Sequence, residues 1–161
     1  MRQAIRLCAL AAGCVCVVAC GGVDRQKFDG VYKAGNALQA EVQSSGGAGS
    51  ASRDRLKQFD TEVDALRDRT IGAREVEALK AYAEAADAYR YFLRFRAIEP
   101  DPENGAQIVL KGPNIEIAAR YKLPIDSRNG SKWVNRGQAM TILLQAGDQH
   151  LSDGNRIVHG Q

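Results

Sequence analysis

Cysteine and histidine are scarce in this 161-residue chain, and their positions exclude more than their numbers do. All four cysteines fall within the first 20 residues, so no disulfide framework can hold the rest of the chain. The two histidines, His150 and His159, both sit in the last dozen residues. A di-metal carboxylate bundle needs Glu-x-x-His on two helices, and that tetrapeptide does not occur. Cys-x-x-Cys-His, the attachment signal for c-type haem, is absent as well. Charge of one sign is also lacking: 22 Lys and Arg stand against 19 Asp and Glu. Two of the basic residues, Arg2 and Arg6, belong to an N-terminal leader, and without them the balance is 20 to 19. A nucleic-acid partner is therefore not expected. With 45% hydrophobic and 25% charged residues, the composition excludes a disordered chain and fits one globular domain.

The leader holds the most specific pattern. Arg2 and Arg6 form a basic region, followed by Leu7 to Val18, 12 uncharged and mostly apolar residues. Crossing a bilayer takes about 20, so the stretch reads as a cleaved secretory signal. It ends in Val17-Val18-Ala19-Cys20. Cutting before Cys14 would leave a stunted apolar region, and Cys16 follows the β-branched Val15, which makes Cys20 the best-placed cysteine. Residues 1–21 resemble the signal peptide and lipobox of bacterial lipoproteins, with an apolar residue three before the Cys and a small one directly before it. The resemblance implies cleavage before Cys20, diacylglycerol on its thiol and a further acyl chain, such as palmitate, on its new amine. Several chains on one residue anchor stably where a single chain is marginal. In that class an Asp after the Cys retains the protein at the inner membrane. Gly21 stands there instead, which implies a periplasm-facing protein held at the outer membrane. An ordinary signal cleavage near Ala19 is the competing reading. With Cys20 acylated the mature chain has no free thiol, excluding thiol catalysis and cysteine-ligated metal.

The rest divides into a tether at 20–23, a helical domain over 24–152 and a C-terminal tail at 153–161. Asp24 is a good helix N-cap, and Val23 and Phe28 have hydrophobic-staple spacing. Phe28, Val31, Gly35, Leu38 and Val42 then mark one helical stripe, broken by the Gly/Ser run at 44–50. Ser52 is the expected cap of a second helix with Leu56, Phe59, Val63 and Leu66 on its seam; Ile71-Gly72 ends it. A third helix is expected from Ala73 to about Ile98, with Leu79, Tyr82, Ala86, Tyr89 and Leu93 buried and Val76 and Ala83 widening the stripe. Pro100 and Pro102 stop it. Residues 99–134 predict an irregular crossover with a short helix from Pro113, closed by Pro124, and a turn at Asn129-Gly130. Ile108-Val109-Leu110 could be one strand, without an obvious partner. Asn135 and Gln138 have capping-box spacing for a last long helix that buries Met140, Leu143, Leu144 and Leu151. The expected fold is all-α: a four-helix bundle whose first three helices run up, down and up. The crossover leaves the direction of the fourth open.

Few residues carry chemistry. The Gly/Ser run lacks the Gly-Lys-Ser/Thr ending of a phosphate loop. Asp60, Asp64 and Asp68 form an i, i+4, i+8 row that could attract a hard cation, but Lys57 and Arg67 beside it favour a solvated, ion-paired flank. His150 reads as a helix-end histidine rather than part of a triad. The unusual segment is Ala88 to Arg96. At about 100° per residue, with Tyr89 at 0°, Tyr91 and Phe95 fall near 200° and 240°, off the core stripe and flanked by Arg90 and Arg94. Arg90, Tyr91, Arg94 and Phe95 therefore form a candidate surface for an envelope protein or an anionic or sugar-like polymer. The leading expectation is instead that residues 106–125 of the crossover fold back and cover Tyr91 and Phe95, which makes the third helix the most enclosed.

These features predict a non-enzymatic, lipid-anchored interaction or structural component of the cell envelope, without metal or cofactor. Its expected partners are the membrane, through the Cys20 lipid, and an envelope protein. A small-molecule or polymer binder, with its site between the third helix and the crossover, is the first alternative. An enzyme with a loop-borne carboxylate site is the second.

Overall fold

The computed structural model describes residues 23–160 apart from 71, 102 and 104. The leader, Cys20 and its lipidation lie outside the described residues. The chain is mostly helical. Among the described residues the long helices are α1 (Arg25–Ser45), α2 (Ser50–Arg67), α3 (Ala73–Ala97) and α5 (Arg136–His159), and α4 (Pro113–Arg120) is short. The expectation of an all-α chain is corrected. The crossover carries three strands, β1 (Gln107–Leu110), β2 (Ile125–Arg128) and β3 (Ser131–Asn135), in one antiparallel sheet of order β1-β3-β2.

Local rules account for most helix ends. The Asp24 carboxylate accepts from the Gln26 and Lys27 amides at 3.1 and 3.4 Å, and Asn135 accepts from the Gln138 amide at 3.0 Å, so orphan donors of α1 and α5 are satisfied. Phe28, Val31, Gly35, Leu38 and Val42 are all buried, as their spacing requires. So are Leu56, Phe59, Val63 and Leu66. Ser52 is not the cap of α2. The helix starts at Ser50 behind Gly49, and the Ser52 hydroxyl turns inward, 3.3 Å from the Ser45 hydroxyl. α5 runs on to His159, so residues 153–159 are helix and not a tail.

The phase of α3 differs from the expected one. Tyr82, Ala86 and Tyr89 are buried, but Leu79, Ala83 and Leu93 are half-buried and Val76 is 52% exposed. The buried sector instead takes in Ala78, Ala81, Ala85 and Ala88 and reaches Phe92 and Phe95. At about 100° per residue it spans roughly half the helix circumference. α3 packs most extensively against α5, where Gly147 and Gly154 are also buried. Two helices approach closely only through small side chains, and alanine and glycine give a weak hydropathy signal.

The strand over Ile108-Val109-Leu110 finds its partner in β3, with Ile108 opposite Val134 and Val109 opposite Trp133. Asn129 and Gly130 form the two-residue turn between β2 and β3, at φ 50° and 75°. Positive φ at both central residues matches the right-handed twist of the flanking strands. Val134, Ile108 and Leu110 are buried from the sheet, and Ile117, Ala118 and Leu123 from α4 and its end.

Cross-helix pairs set the directions. Lys27 meets Glu75 at 2.7 Å, so α1 and α3 start at the same end, while the contact of Ser45 with Ser52 turns α2 back. Tyr82 bonds Asn155, Tyr89 bonds Asp148, and Arg136 reaches the Phe95 and Arg96 carbonyls. Rising numbers on α3 meet falling numbers on α5, so α5 runs antiparallel to α3.

Candidate functional site

The four residues singled out on α3 do not form one surface. Phe95 is fully buried. Tyr91 is half-buried against Tyr121 at the end of α4, ring centroids 5.8 Å apart at 70°. Arg94 stays exposed. Arg90 is drawn into an ion-pair chain: Nη2 donates to Asp60 Oδ1 on α2 at 2.7 Å and Nη1 to Asp87 on α3. Asp87 also receives Arg120 Nη1 from α4 at 3.2 Å, and the Arg120 guanidinium lies 5.5 Å from the Tyr121 ring centre. Partial desolvation disfavours the Arg90 cation, yet Asp60 and Asp87 outweigh it and its pKa rises. The Tyr121 phenol is pushed up to about 12, chiefly by burial. This chain fastens the crossover onto α3 and α2, where a binding surface was one expectation.

A second constellation lies between α1, α3 and α5. The Tyr89 hydroxyl donates to Asp148 Oδ1 at 2.6 Å, and the same oxygen accepts from Gln39 Nε2 at 3.0 Å. One helical repeat away, the Tyr82 hydroxyl donates to Asn155 Oδ1 at 2.9 Å, and Asn155 Nδ2 donates to Asn36 Oδ1 at 3.2 Å. Burial raises both phenol pKa values, and for Tyr89 the Asp148 carboxylate adds to the effect. Both are neutral donors at any physiological pH. A groove of about 310 Å³ lined by Gln39, Asp148, Ser152, Asn155 and Arg156 opens on this ladder. The sequence did hold a signal for it: Gly147-Asp148 and Gly154-Asn155 repeat at seven residues, as do Tyr82 and Tyr89.

Elsewhere some titratable groups form single pairs. Asp64 bonds Arg67 at 3.0 Å, so two of the three aspartates in the row on α2 hold arginines. His150 Nδ1 lies 3.4 Å from Glu84. Among the described residues no group of three His, Cys, Asp or Glu gathers around a point where a metal ion could sit. Comparison with known family models, curated proteins and solved structures finds no match for this chain.

Proposed function

We propose that this is a lipid-anchored, periplasm-facing component of the bacterial cell envelope, held at the outer membrane, that acts by interaction or support and not by catalysis. Its long helices serve as a four-helix scaffold that carries the 99–135 segment. The observation behind the anchoring is the run Val17-Val18-Ala19-Cys20 after a short apolar stretch, with only Gly21 and Gly22 before Val23. The pairing of Asp60, Asp87 and Asp148 with Arg or Tyr partners favours a scaffold over a carboxylate enzyme, since each is already engaged. A binder with its site between α3 and the crossover has less support, because Tyr91, Tyr121, Arg120 and Asp87 meet directly there. Cys20→Ser tests the anchor. The wild type should sediment with outer membranes and begin at an acylated Cys20, and the variant should be released or stay unprocessed. A soluble wild type, or one whose mature N-terminus lies elsewhere, refutes the reading.

A further inference from the structure

The end of the molecule at which α1 begins differs from the opposite end. Three residue steps separate Cys20 from Val23, at most about 11 Å of extended chain, and Val23 already packs against the core. The Lys27–Glu75 pair holds the start of α3 at this end. Arg25 donates to the His159 carbonyl at 3.2 Å and holds the end of α5 there too. The turn between α2 and α3 completes it. Residues 67–77 carry Arg67, Arg69 and Arg74 against Asp68, Glu75 and Glu77, with Glu75 held by Lys27 and Glu77 facing a groove shared with Lys80 and Arg156. Arg67 is paired with Asp64, whereas Arg69 and Arg74 are exposed and make no ion pair among the described residues. Asp24, the cap of α1, accepts from the amides of that helix. Val76, in the first turn of α3, is at 52% the most exposed large hydrophobic side chain among the described residues. At the far end the α1–α2 loop, residues 46–49, is uncharged, and Glu99, Asp101 and Glu103 on the chain leaving α3 are balanced by Arg53, Arg94 and Arg96.

We infer that the Arg69, Arg74 and Val76 end is a docking surface for the phospholipid headgroups of the membrane that holds the Cys20 lipid, an inference that rests on the anchoring proposed above. The short tether keeps this end near the interface, where attraction between arginine and lipid phosphate acts over about a Debye length of 8 Å. An apolar side chain beside those arginines can enter the headgroup layer. The far end has no tether and its charges balance, so the domain stands with its 99–135 segment away from the bilayer.

The test uses the full lipidated protein in vesicles of phosphatidylethanolamine and phosphatidylglycerol. Val76→Cys and Ala48→Cys each add one thiol, and each variant is labelled with an environment-sensitive fluorophore and exposed to spin-labelled lipids. Quenching should be several-fold stronger at position 76 than at 48. Adding Arg69→Gln and Arg74→Gln to the Val76→Cys protein should weaken it. A protein that floats with the vesicles but is quenched equally at both positions overturns the orientation and leaves the anchor intact. Unchanged quenching without the two arginines overturns the headgroup contact. Failure to float overturns the anchoring and the docking surface with it.

Discussion

The Tyr89 ring lies against the backbone of Gly147, so close that a Cβ at that glycine would meet the ring at 3.1 to 3.2 Å. Its hydroxyl is held by the very next residue, Asp148, at 2.6 Å. Tyr82 repeats the arrangement on Gly154 and Asn155. Rings that are buried and tied at the hydroxyl cannot swing aside. The α3–α5 spacing therefore depends on glycine at both positions.

Gly147→Ala and Gly154→Ala should each destabilise the protein in spite of alanine's better helix propensity. That gain is about 1 kcal/mol, against about 1–3 kcal/mol for overpacking a tight core. Gly35→Ala should cost more than either, because the new methyl would meet Leu151 at 2.6 Å and Phe59 at 3.0 Å. Gly30→Ala is the contrast. Its methyl would meet only the carboxylate end of Glu62, a flexible side chain, so a stabilisation of about 0.5–1 kcal/mol is expected. Denaturant unfolding of the four variants would check the order. A destabilised Gly30→Ala, or an unaffected Gly147→Ala, would contradict it.

Phe95→Ala should cost about 3–5 kcal/mol, the usual loss for a buried aromatic. Leu66→Ala should cost about 2–5 kcal/mol on the same grounds, since Leu66 is also buried. Leu79→Ala and Tyr91→Ala should cost less, because both side chains are only half-buried. Equal losses at Leu66 and Leu79 in thermal melts would argue against the observed phase of α3.

The β2–β3 turn is a separate point of strain. Gly130 holds φ at 75°, a conformation that costs an L-residue roughly 1–2 kcal/mol. Gly130→Ala should therefore loosen the sheet, read as faster amide exchange in β2 and β3 with α1 and α2 unaffected. Unchanged exchange at the Ser131 and Trp133 amides, which face β2, would contradict this.

Three phenols resist ionisation in the folded protein: Tyr82, Tyr89 and Tyr121 all titrate above the ordinary value of 10, Tyr121 at about 12. A raised folded pKa means that folding favours the neutral phenol. Its contribution is full below pH 10 and is lost as pH climbs from 10 towards each folded value, because the unfolded chain then gains by ionising. Stability should fall steeply in that range, and much of the phenolate absorbance should appear only with unfolding. Tyr89→Phe removes one of these groups and should flatten the fall. A smooth titration of all the tyrosines near pH 10 with the fold intact would refute the burial argument.

Helix ends and most seams were legible in the sequence because they depend on neighbours within a turn or two. Asp24 and Asn135 cap their own helices, Asn129-Gly130 makes its own turn, and the apolar spacing of α1 and α2 points to the buried side directly. The sheet was not legible. Ile108 lies far along the chain from Val134, and nothing local to either residue names the other. On α3 the large side chains drew the expected stripe towards Leu79 and Val76, while the alanines that admit α5 were passed over. The burial of Phe95 was legible in the switch of the far side of α3 from charged to aromatic residues, whereas Arg90 looked free because Asp60 lies on another helix.

The sequence by itself carries the apolar run that ends at Cys20, the four long helices, the caps of α1 and α5, and the short helix after Pro113. Short-range sterics and capping hydrogen bonds decide all of these but the first. Tertiary structure alone decided that Arg90 reaches Asp60, that Tyr82 and Tyr89 bond Asn155 and Asp148, and that β1 has a partner. Burial and ion pairing act between groups brought together by folding, whatever their separation along the chain, and α3 shows this: what α5 and the crossover cover overrides the helix's own hydropathy.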